Sequence, residues 1–416
     1  MEAGATGGPA VVRSGADFGP EAEAFRAEIR QWIAAQAPAE LASLADWNAP
    51  SLGSMAHAHE AAAGEPAYRQ WEERLLQARL ICPQWPPEAG GRGLSAVELA
   101  VFSEELYRAR LPRVRRGMGE SLVGPSVIVH GTDAQRARFL PRIISGQDVY
   151  CQGFSEPDHG SDLAGLTTKG EVDGDEIVIT GQKVWTSRAT DATMMFVLCR
   201  TDRSAARHAG LSYVLVPMPG NGIEISPIRD MSGADYFCQE YITGARAPLA
   251  NVIGGLHNGW RVAMTTLGNE RGGGATVQHL GYEREFWELV DLARKKGLTS
   301  DPVIRQRLAL AYSEIEIIRY AGLRLLAAIA SDQDPGPEAS VAKLRWSEYH
   351  QRFTQLAIAI EGADAMIRPD GPGYATSRWQ DTFLWARAGT IYSGTSEVQR
   401  RIIGERSLGL PREPSG

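Results

Sequence analysis

The sequence predicts an α+β protein in which a helical segment, a compact β segment and a second helical segment follow one another. Three observations predict this order: apolar residues recur at helical spacing after Glu21, short β-branched runs occupy the middle of the chain, and helical spacing returns after Asn258. At 416 residues, 43% of them apolar, the chain suits two or three packed domains. We expect a flexible N-terminus at 1–18, an N-terminal helical domain at 19–147, a central β domain at 148–255 and a C-terminal helical bundle at 256–416.

The N-terminal segment shows the helical period directly. Phe25, Ile29 and Ile33 recur at steps of four, which places their side chains on one face of a helix. The stretch "PQWPPEAGGRG" (83–93) then breaks the helical pattern, because proline supplies no backbone donor. We interpret "GGRG" at 90–93 as a structural turn.

The β segment is predicted by turn residues and short apolar runs. In "EVDGDEIVITGQKVWTS" (171–187), Asp173-Gly174 favours a hairpin turn and β-branched residues follow it. The stretches "MMFVLCR" (194–200), "LSYVLVPM" (211–218) and "GIEISPI" (222–228) are bounded by glycine, proline or charge. Together they predict a compact β domain.

The C-terminal segment predicts long helices joined by short connections, which is typical of an antiparallel bundle. Asp301 before Pro302 is a helix start, because its side chain caps the free donors and proline needs none in the first turn. Pro337 opens the next predicted helix. One face of the first of these helices is apolar over about six turns, through Leu308, Ala311, Ile315, Ile318, Gly322, Leu325 and Ile329.

Composition excludes several classes of protein. The formal net charge of −7 argues against nucleic acid as the main partner. Cys82, Cys151, Cys199 and Cys238 form no CxxC pair, so we expect buried, reduced thiols and no metal site. No apolar run approaches the roughly 20 residues of a membrane span, and the N-terminus does not resemble a signal peptide. We therefore expect a soluble, cytoplasmic protein.

Three stretches inside this pattern resemble a known family. "CQGFSEPDHGSDLAGLTTKGEVDGDEIVITGQKVWTS" (151–187) resembles the central flavin-binding stretch of the acyl-CoA dehydrogenase family. "GWRVAMTTLGNERG" (259–272) is similar to the opening of the family's third domain, and "IYSGTSEVQRRIIGERSLGLPRE" (391–413) to its C-terminal stretch. The resemblance covers roughly residues 20 to 413, with the motifs in the family's order.

The resemblance implies FAD and the α,β-dehydrogenation of an acyl-CoA thioester. A base removes the α-proton and the β-hydrogen leaves as hydride to flavin N5. Because the family does not hold FAD in a Rossmann fold, no GxGxxG fingerprint is required. From the residues alone, Trp185 also fits a core position, and Ser155 and Ser161 fit turn positions. The residues that match the family's FAD contacts are Phe154, Ser155, Ser161, Trp185, Thr186, Ser187, Thr395 and Glu397.

Two positions depart from the family pattern. His159 stands where the family commonly has alanine, and it either alters the surroundings of the flavin phosphates or faces solvent. The Arg-x-x-Phe-Gly motif that reaches a neighbouring subunit's FAD in many relatives is absent, which leaves Arg294 as a weak match.

The catalytic base is the main question that the sequence raises. Ser393 occupies the position of the family's usual catalytic glutamate, and a hydroxyl without its own base is a poor proton acceptor. The family's second position for the base corresponds to Glu270, whose other interpretation is a solvated helix residue paired with an arginine. The main-chain N–H of Ser393 remains able to donate to the thioester oxygen. Candidate substrate contacts are Arg271, Gly272 and Gly394.

The glycines at 272–274 have two interpretations. Each lowers helix propensity by up to about 1 kcal/mol relative to alanine. They either widen the acyl pocket for a branched or ring-bearing group, or belong to a distorted helix packed close to a neighbour.

Three functions fit these residues. The first is an FAD-dependent acyl-CoA dehydrogenase that passes electrons to an electron-transfer flavoprotein. The second is a non-catalytic partner subunit of a hetero-oligomeric dehydrogenase, and the third is an acyl-CoA oxidase. The family implies a homodimer or homotetramer. The sequence does not determine the identity of the acyl chain, nor whether the thioester is formed with coenzyme A or with a carrier protein.

Overall fold

The computed structural model describes residues 18–44, 62–272, 277–331, 338–367 and 377–412, without the side chains of 270–272. The first part is helical. Its helices pack around a core that includes the fully buried Trp71, Ile29 and Phe102. Arg26, also buried, donates to Glu104 and Glu105 at 2.8 Å and so joins the first helix to the fourth. The helices are α1 (Pro20–Gln36), α2 (Leu41–Leu44), α3 (Pro66–Gln77), α4 (Ala96–Arg108), α5 (Gly124–His130) and α6 (Asp133–Ile144).

The middle of the chain forms a mixed sheet of eight strands. Its order is β6-β7-β3-β2-β4-β5-β8, and β1 pairs parallel with β4 beside this path. β4 and β5 correspond to two of the predicted apolar runs, and both strands are buried along almost their whole length. The strands are β1 (Tyr150–Gly153), β2 (Lys169–Asp173), β3 (Glu176–Ser187), β4 (Met194–Arg200), β5 (Leu211–Pro217), β6 (Ile223–Ile228), β7 (Phe237–Pro248) and β8 (Val252–Ile253).

The long antiparallel pair of β3 and β7 contains two bulges. At the first, two residues of β7, Thr243 and Gly244, lie opposite Thr180 of β3, and Gly244 has a φ of +69°. At the second, the extra residue lies on β3: Val184 pairs with Gln239 and Thr186 with Cys238, which leaves Trp185 between them. A bulge bends its strand and re-aims the side chain that it carries.

The last part is the predicted helical bundle. Asp301 caps α9, because its side chain accepts from the main-chain N–H groups of Val303 and Ile304. The apolar face of α9 is buried through Leu308, Ala311 and Ile315, as the helical spacing predicted. Pro337 lies outside the described residues. The helices are α7 (Gly259–Gly272), α8 (Gln278–Lys295), α9 (Pro302–Ala330), α10 (Glu338–Glu361), α11 (Arg378–Ala386) and α12 (Ser396–Ile402).

The order helical, β, helical confirms the predicted α+β class. The four cysteines are buried and unpaired, also as predicted. Among the described residues, no helix combines the length and the apolar character that crossing a bilayer requires.

Candidate active site

Trp185 is the most unusual residue of the sheet. It has a φ of +63°, which a bulky residue adopts only under strain, and its side chain is 61% exposed. Its ring contacts Phe237 edge to face at 6.1 Å, and Phe237 in turn stacks parallel on Trp385 of α11. The bulge therefore holds the indole largely exposed, next to the ring of Phe237.

The two residues after Trp185 point in different directions. Thr186 is buried, and its Oγ1 lies 2.6 Å from Glu240 Oε2 and 3.2 Å from the carbonyl oxygen of Gln152. Ser187 is half-buried and hydrogen-bonds the hydroxyl of Tyr236. Burial raises the pKa of Tyr236, and the Ser187 contact partly offsets that rise.

Phe154 and Ser155 follow β1 and lie beside β3. The Phe154 ring is buried against Phe196 and Tyr213, so its side chain belongs to the core. Its carbonyl accepts from Lys183 Nζ at 3.0 Å, and the Ser155 carbonyl accepts from the Val184 N–H at 3.0 Å. These bonds fix the main chain of 154–155 against the strand that carries Trp185.

A buried ion pair supports this junction. Lys183, fully buried, donates from Nζ to Glu156 Oε1 at 3.1 Å and to the carbonyl of Leu198 at 3.0 Å. Glu156 also accepts from the N–H groups of Thr167 and Thr168. Although burial opposes ionisation, the charge of Lys183 and these hydrogen bonds lower the pKa of Glu156 to about 2. The carboxylate is therefore ionised near neutral pH.

The loop after Glu156 carries Ser161 on its exposed side. His159 is half-buried, and its Nδ1 is inaccessible to solvent without a hydrogen-bond partner among the described residues. Asp162 pairs with Arg207 next to it. This loop thus presents an unsatisfied imidazole nitrogen two residues from the predicted phosphate contact. Arg294, the other departure from the family pattern, is exposed on α8 and pairs with Asp291.

The C-terminal loop around Ser393 is held in an unusual conformation. Ser393 and Gly394 have φ values of +54° and +88°. Gln399 donates to the Ser393 carbonyl at 3.0 Å, and the buried Lys343 of α10 donates to the Gly394 carbonyl at 2.7 Å. These two donors fix the peptide planes of a loop whose backbone alone disfavours that conformation.

A cavity of about 470 Å³ lies beside this loop. Thr395 caps α12 by accepting from the Val398 N–H at 3.2 Å, and it lines the cavity together with Glu397, Arg352 and Arg400. The Glu397 side chain is 80% exposed. Its own main-chain N–H and the Thr395 hydroxyl lower its pKa, so it is an anion at the rim.

Glu270 lies in the last turn of α7. The buried face of this helix includes Val262 and Thr266, and position 270 follows Thr266 by one turn. α10 packs against α7 and also supplies Lys343 to the Gly394 carbonyl. The side chains of Glu270 and Arg271 lie outside the described part of the structure, as do Gly273 and Gly274 altogether; of Gly272 only its place at the end of α7 is described.

The sequence analysis did not single out Lys183, Glu156, Lys343 or Glu240. All four are almost completely buried, although charged residues rarely are unless they are paired. Glu240 left a signal in the sequence: Cys238, Glu240 and Ile242 alternate along β7, so the spacing of two places a carboxyl group on the buried face.

Comparison with known proteins identifies the class to which this fold and site belong. The family models for the N-terminal, middle and C-terminal domains of acyl-CoA dehydrogenase match residues 19–147, 151–243 and 257–408. The chain therefore belongs to the acyl-CoA dehydrogenase family. It is an oxidoreductase that depends on FAD.

Individual relatives match over nearly the whole chain. Acyl-CoA dehydrogenase IpdE1 of Mycobacterium tuberculosis is 43% identical over 95% of this chain and all of its own length. Among solved structures, the Tcur3481-Tcur3483 steroid ACAD is 31% identical, with a TM-score of 0.78 over 95% of this chain and 99% of its own. The ChsE4-ChsE5 complex from Mycobacterium tuberculosis is 27% identical, with a TM-score of 0.74 over 96% of this chain and all of its own.

The described residues fit FAD. Trp185 offers a planar aromatic surface with little protein over it. Of the buried polar atoms that have no hydrogen-bond partner in the described part of the chain, three lie close to predicted cofactor contacts: His159 Nδ1, two residues before Ser161, and Ser396 Oγ and Gln399 Oε1, one and four residues after Thr395. A bound ligand is one way in which such atoms complete their hydrogen bonding.

Proposed function

We propose that this chain dehydrogenates an acyl-CoA thioester between its α and β carbons, with Glu270 as the base. The observation that carries this proposal is the position of α10. It packs against α7, which contains Glu270, and it holds the Ser393–Gly394 loop through Lys343. Positions 270 and 393 are distant in sequence, but α10 contacts both the helix that contains position 270 and the loop that contains position 393.

Ser393 has an electrostatic role in this mechanism. Its hydroxyl is not a base, but its main-chain N–H donates to the thioester oxygen and so stabilises the negative charge that develops there. The positive φ of Ser393 and Gly394 and the two fixed carbonyls set the direction of these peptide groups before substrate binds. A preorganised donor is needed because the α-proton is too weakly acidic for a carboxylate alone.

Two groups of residues would hold FAD. Trp185 would cover the flavin ring, and Ser187, Ser155 and the main chain of Phe154 would contact its edge. The buried hydroxyl of Thr186 faces the sheet, so only its main chain would be available to the flavin. Ser161, Thr395 and Glu397 would contact the polar part of the cofactor. When bound, FAD supplies the acceptor for the β-hydrogen, and an electron-transfer flavoprotein is the proposed next acceptor.

The acyl group is proposed to be bulky and ring-bearing. Two facts support this: the Tcur3481-Tcur3483 steroid ACAD matches over 95% of this chain, and glycines occupy 272–274 directly after the base. Glycine removes the side chains that would otherwise fill the space next to Glu270.

A second candidate is favoured by one of the structural neighbours. ChsE4-ChsE5 is a complex of two different chains, so this chain is also a candidate subunit of a hetero-oligomer. If the partner subunit supplies the base, Glu270 has no catalytic role. A single substitution of Glu270 therefore distinguishes the two candidates.

That variant is Glu270→Gln. We expect flavin reduction by the acyl-CoA substrate under anaerobic conditions to slow by roughly 10²- to 10⁴-fold, the usual contribution of a general base, while FAD remains bound. The exposed Glu224→Gln is the matched control, because it removes the same charge from β6. Unchanged reduction by Glu270→Gln would eliminate Glu270 as the base and favour the non-catalytic subunit.

A rescue experiment tests whether the two positions converge. Adding Ser393→Glu to Glu270→Gln returns a carboxylate to the loop that Lys343 and Gln399 hold. We expect partial recovery of flavin reduction. No recovery, in a doubly substituted protein that still binds FAD, would contradict the convergence on one α-carbon.

The substrate proposal is tested with a panel of straight, branched and ring-bearing acyl-CoA esters. We expect the ring-bearing esters to bleach the flavin fastest, and activity confined to short straight chains would refute the wide pocket. Peroxide release in air distinguishes an oxidase from a dehydrogenase, which passes its electrons to another protein.

A further inference from the structure

Glu240 is a fully buried carboxyl group directly below the Trp185 bulge. It lies on β7, paired with Lys183 on β3 and with Ile225 on β6, so strands cover it on both sides. Its Oε2 contacts the hydroxyl of Thr186, the residue that follows Trp185. The proposed dehydrogenation assigns no role to this carboxyl group.

The hydrogen bonds around Thr186 determine which form of Glu240 fits. A threonine hydroxyl has a single proton, yet Thr186 Oγ1 lies within hydrogen-bond distance of two acceptors, Glu240 Oε2 at 2.6 Å and the Gln152 carbonyl at 3.2 Å. If Glu240 is ionised, one of these contacts has no proton. If Glu240 is protonated, it donates to Thr186, which donates to Gln152, and both contacts are hydrogen bonds.

Among the described residues, no cation donates a hydrogen bond to Glu240, although the charge of Lys183 lies on the neighbouring strand. All three protons of Lys183 Nζ are directed to other acceptors, namely Phe154, Glu156 and Leu198. Among the described residues no ion pair includes Glu240, and its Oε1 is buried without a partner. A buried carboxylate with one hydrogen bond and no counter-ion is costly, whereas the neutral acid is not.

We propose that Glu240 is held as the neutral acid and acts as a positioning residue, which fixes through Thr186 the bulge that carries Trp185. Loss of the proton leaves two acceptors competing for one hydroxyl proton and places a negative charge below the flavin site. The orientation of Thr186, and with it the surroundings of the flavin, therefore depends on pH. This step rests on the flavin site proposed above.

The groups that face Glu240 agree with this assignment. They are Lys183 on β3, the thiol of Cys151 on β1 and the thiol of Cys238 on β7. Burial raises the pKa of Glu240 to about 7, and the Thr186 hydrogen bond and the charge of Lys183 offset burial only in part. The two thiols are themselves neutral, because burial raises the pKa of each.

The first test needs neither substrate nor turnover. A glutamate that is neutral in the folded protein and ionised in the unfolded chain makes stability fall as pH rises from about 4.5 to about 7. Glu240→Gln keeps a donor for Thr186 and cannot ionise, so it lacks this fall. We therefore expect the melting temperature of the FAD-free wild type to drop relative to Glu240→Gln across this range, and the exposed Glu224→Gln to follow the wild type. A constant difference between wild type and Glu240→Gln would overturn the proposal.

The second test observes the flavin in the FAD-loaded protein. The visible flavin spectrum of the wild type is expected to titrate near pH 7 without substrate, and that of Glu240→Gln is not. Thr186→Val removes the hydroxyl but keeps the shape of the side chain, so it should retain the pH-dependent stability and reduce the amplitude of the spectral titration to the part that the charge of Glu240 alone produces. A spectral titration of undiminished amplitude in Thr186→Val would overturn positioning through Thr186. Because no arm measures dehydrogenation, these outcomes are independent of whether Glu270 is the base.

Discussion

Replacement of Lys183 by methionine is the sharpest test of what holds the flavin side of the site. The methionine fills the volume but supplies no donor. It removes the three hydrogen bonds of 3.0, 3.1 and 3.0 Å that Nζ makes to Phe154, Glu156 and Leu198. Glu156 keeps the donors of Thr167 and Thr168, so an uncompensated carboxylate remains in the interior.

The expected magnitude follows from these contacts. Removing one partner of a buried ion pair typically costs about 3–5 kcal/mol, and two buried carbonyls without donors belong to the same loss. We expect urea denaturation to show a loss of this size in the free energy of unfolding. Hydrogen exchange should locate the loss in β3, β4 and the main chain of 154–155. Lys295→Met, which removes an exposed charge, is the control and should change stability by less than about 0.5 kcal/mol.

A double variant tests the electrostatic explanation. Lys183→Met with Glu156→Gln removes the orphaned charge as well, so it should be more stable than Lys183→Met alone. A loss below about 1 kcal/mol in Lys183→Met, or a strictly additive double variant, would refute the reasoning.

Three further predictions concern the same region. The pKa of Glu156 is about 2 in the folded protein and 4.5 ordinarily. Ionised Glu156 therefore adds roughly 3 kcal/mol to the free energy of unfolding above pH 4.5, and this contribution is lost as pH falls towards 2. Melting curves of Glu156→Gln in acid should lack this loss. Trp185→Ala should weaken FAD binding by about 1 kcal/mol or more, because it removes an aromatic stacking surface, and fluorescence titration against Trp185→Phe measures the loss. Gly394→Ala places a Cβ 2.5 Å from Gln399 Nε2 at a φ of +88°, so we expect disturbed positioning of Ser393 and slower flavin reduction in the FAD-saturated protein. Gly409→Ala is its control, since φ is +64° there and an added Cβ would meet no described atom within 4 Å beyond its chain neighbours.

The sequence was sufficient to predict the elements whose signal is local. The apolar runs at 194–200 and 211–218 correspond to β4 and β5, because a strand buried on both faces requires apolar residues throughout. Asp301 caps α9, since a capping side chain interacts with N–H groups two and three residues later.

The features that the sequence did not reveal depend on residues distant along the chain. The conformation of the Ser393 loop requires Lys343, 51 residues earlier, and the junction at Phe154 requires Lys183, 29 residues later. The bulge at Trp185 is absent from the pattern of β3 because it is defined by the register with β7. The choice of Glu270 as base stays a prediction, since it rests on the resemblance and on the position of its helix.

The two bulges of the β3–β7 pair have a consequence for how this region tolerates change. One extra residue is on β7 at Thr243–Gly244 and the other is on β3 at Trp185, so the second cancels the offset that the first introduces. Only the pairs between the two bulges, 181–184 of β3 with 239–242 of β7, are offset by one residue from the register of the other pairs. These pairs include Lys183 with Glu240. Deleting Trp185 would join Val184, which pairs with Gln239, directly to Thr186, which pairs with Cys238, so the second bulge would disappear without changing the pairs on either side. The sheet can therefore lose or keep this bulge, and the outward position of residue 185 with it, independently of the bulge at Thr243–Gly244.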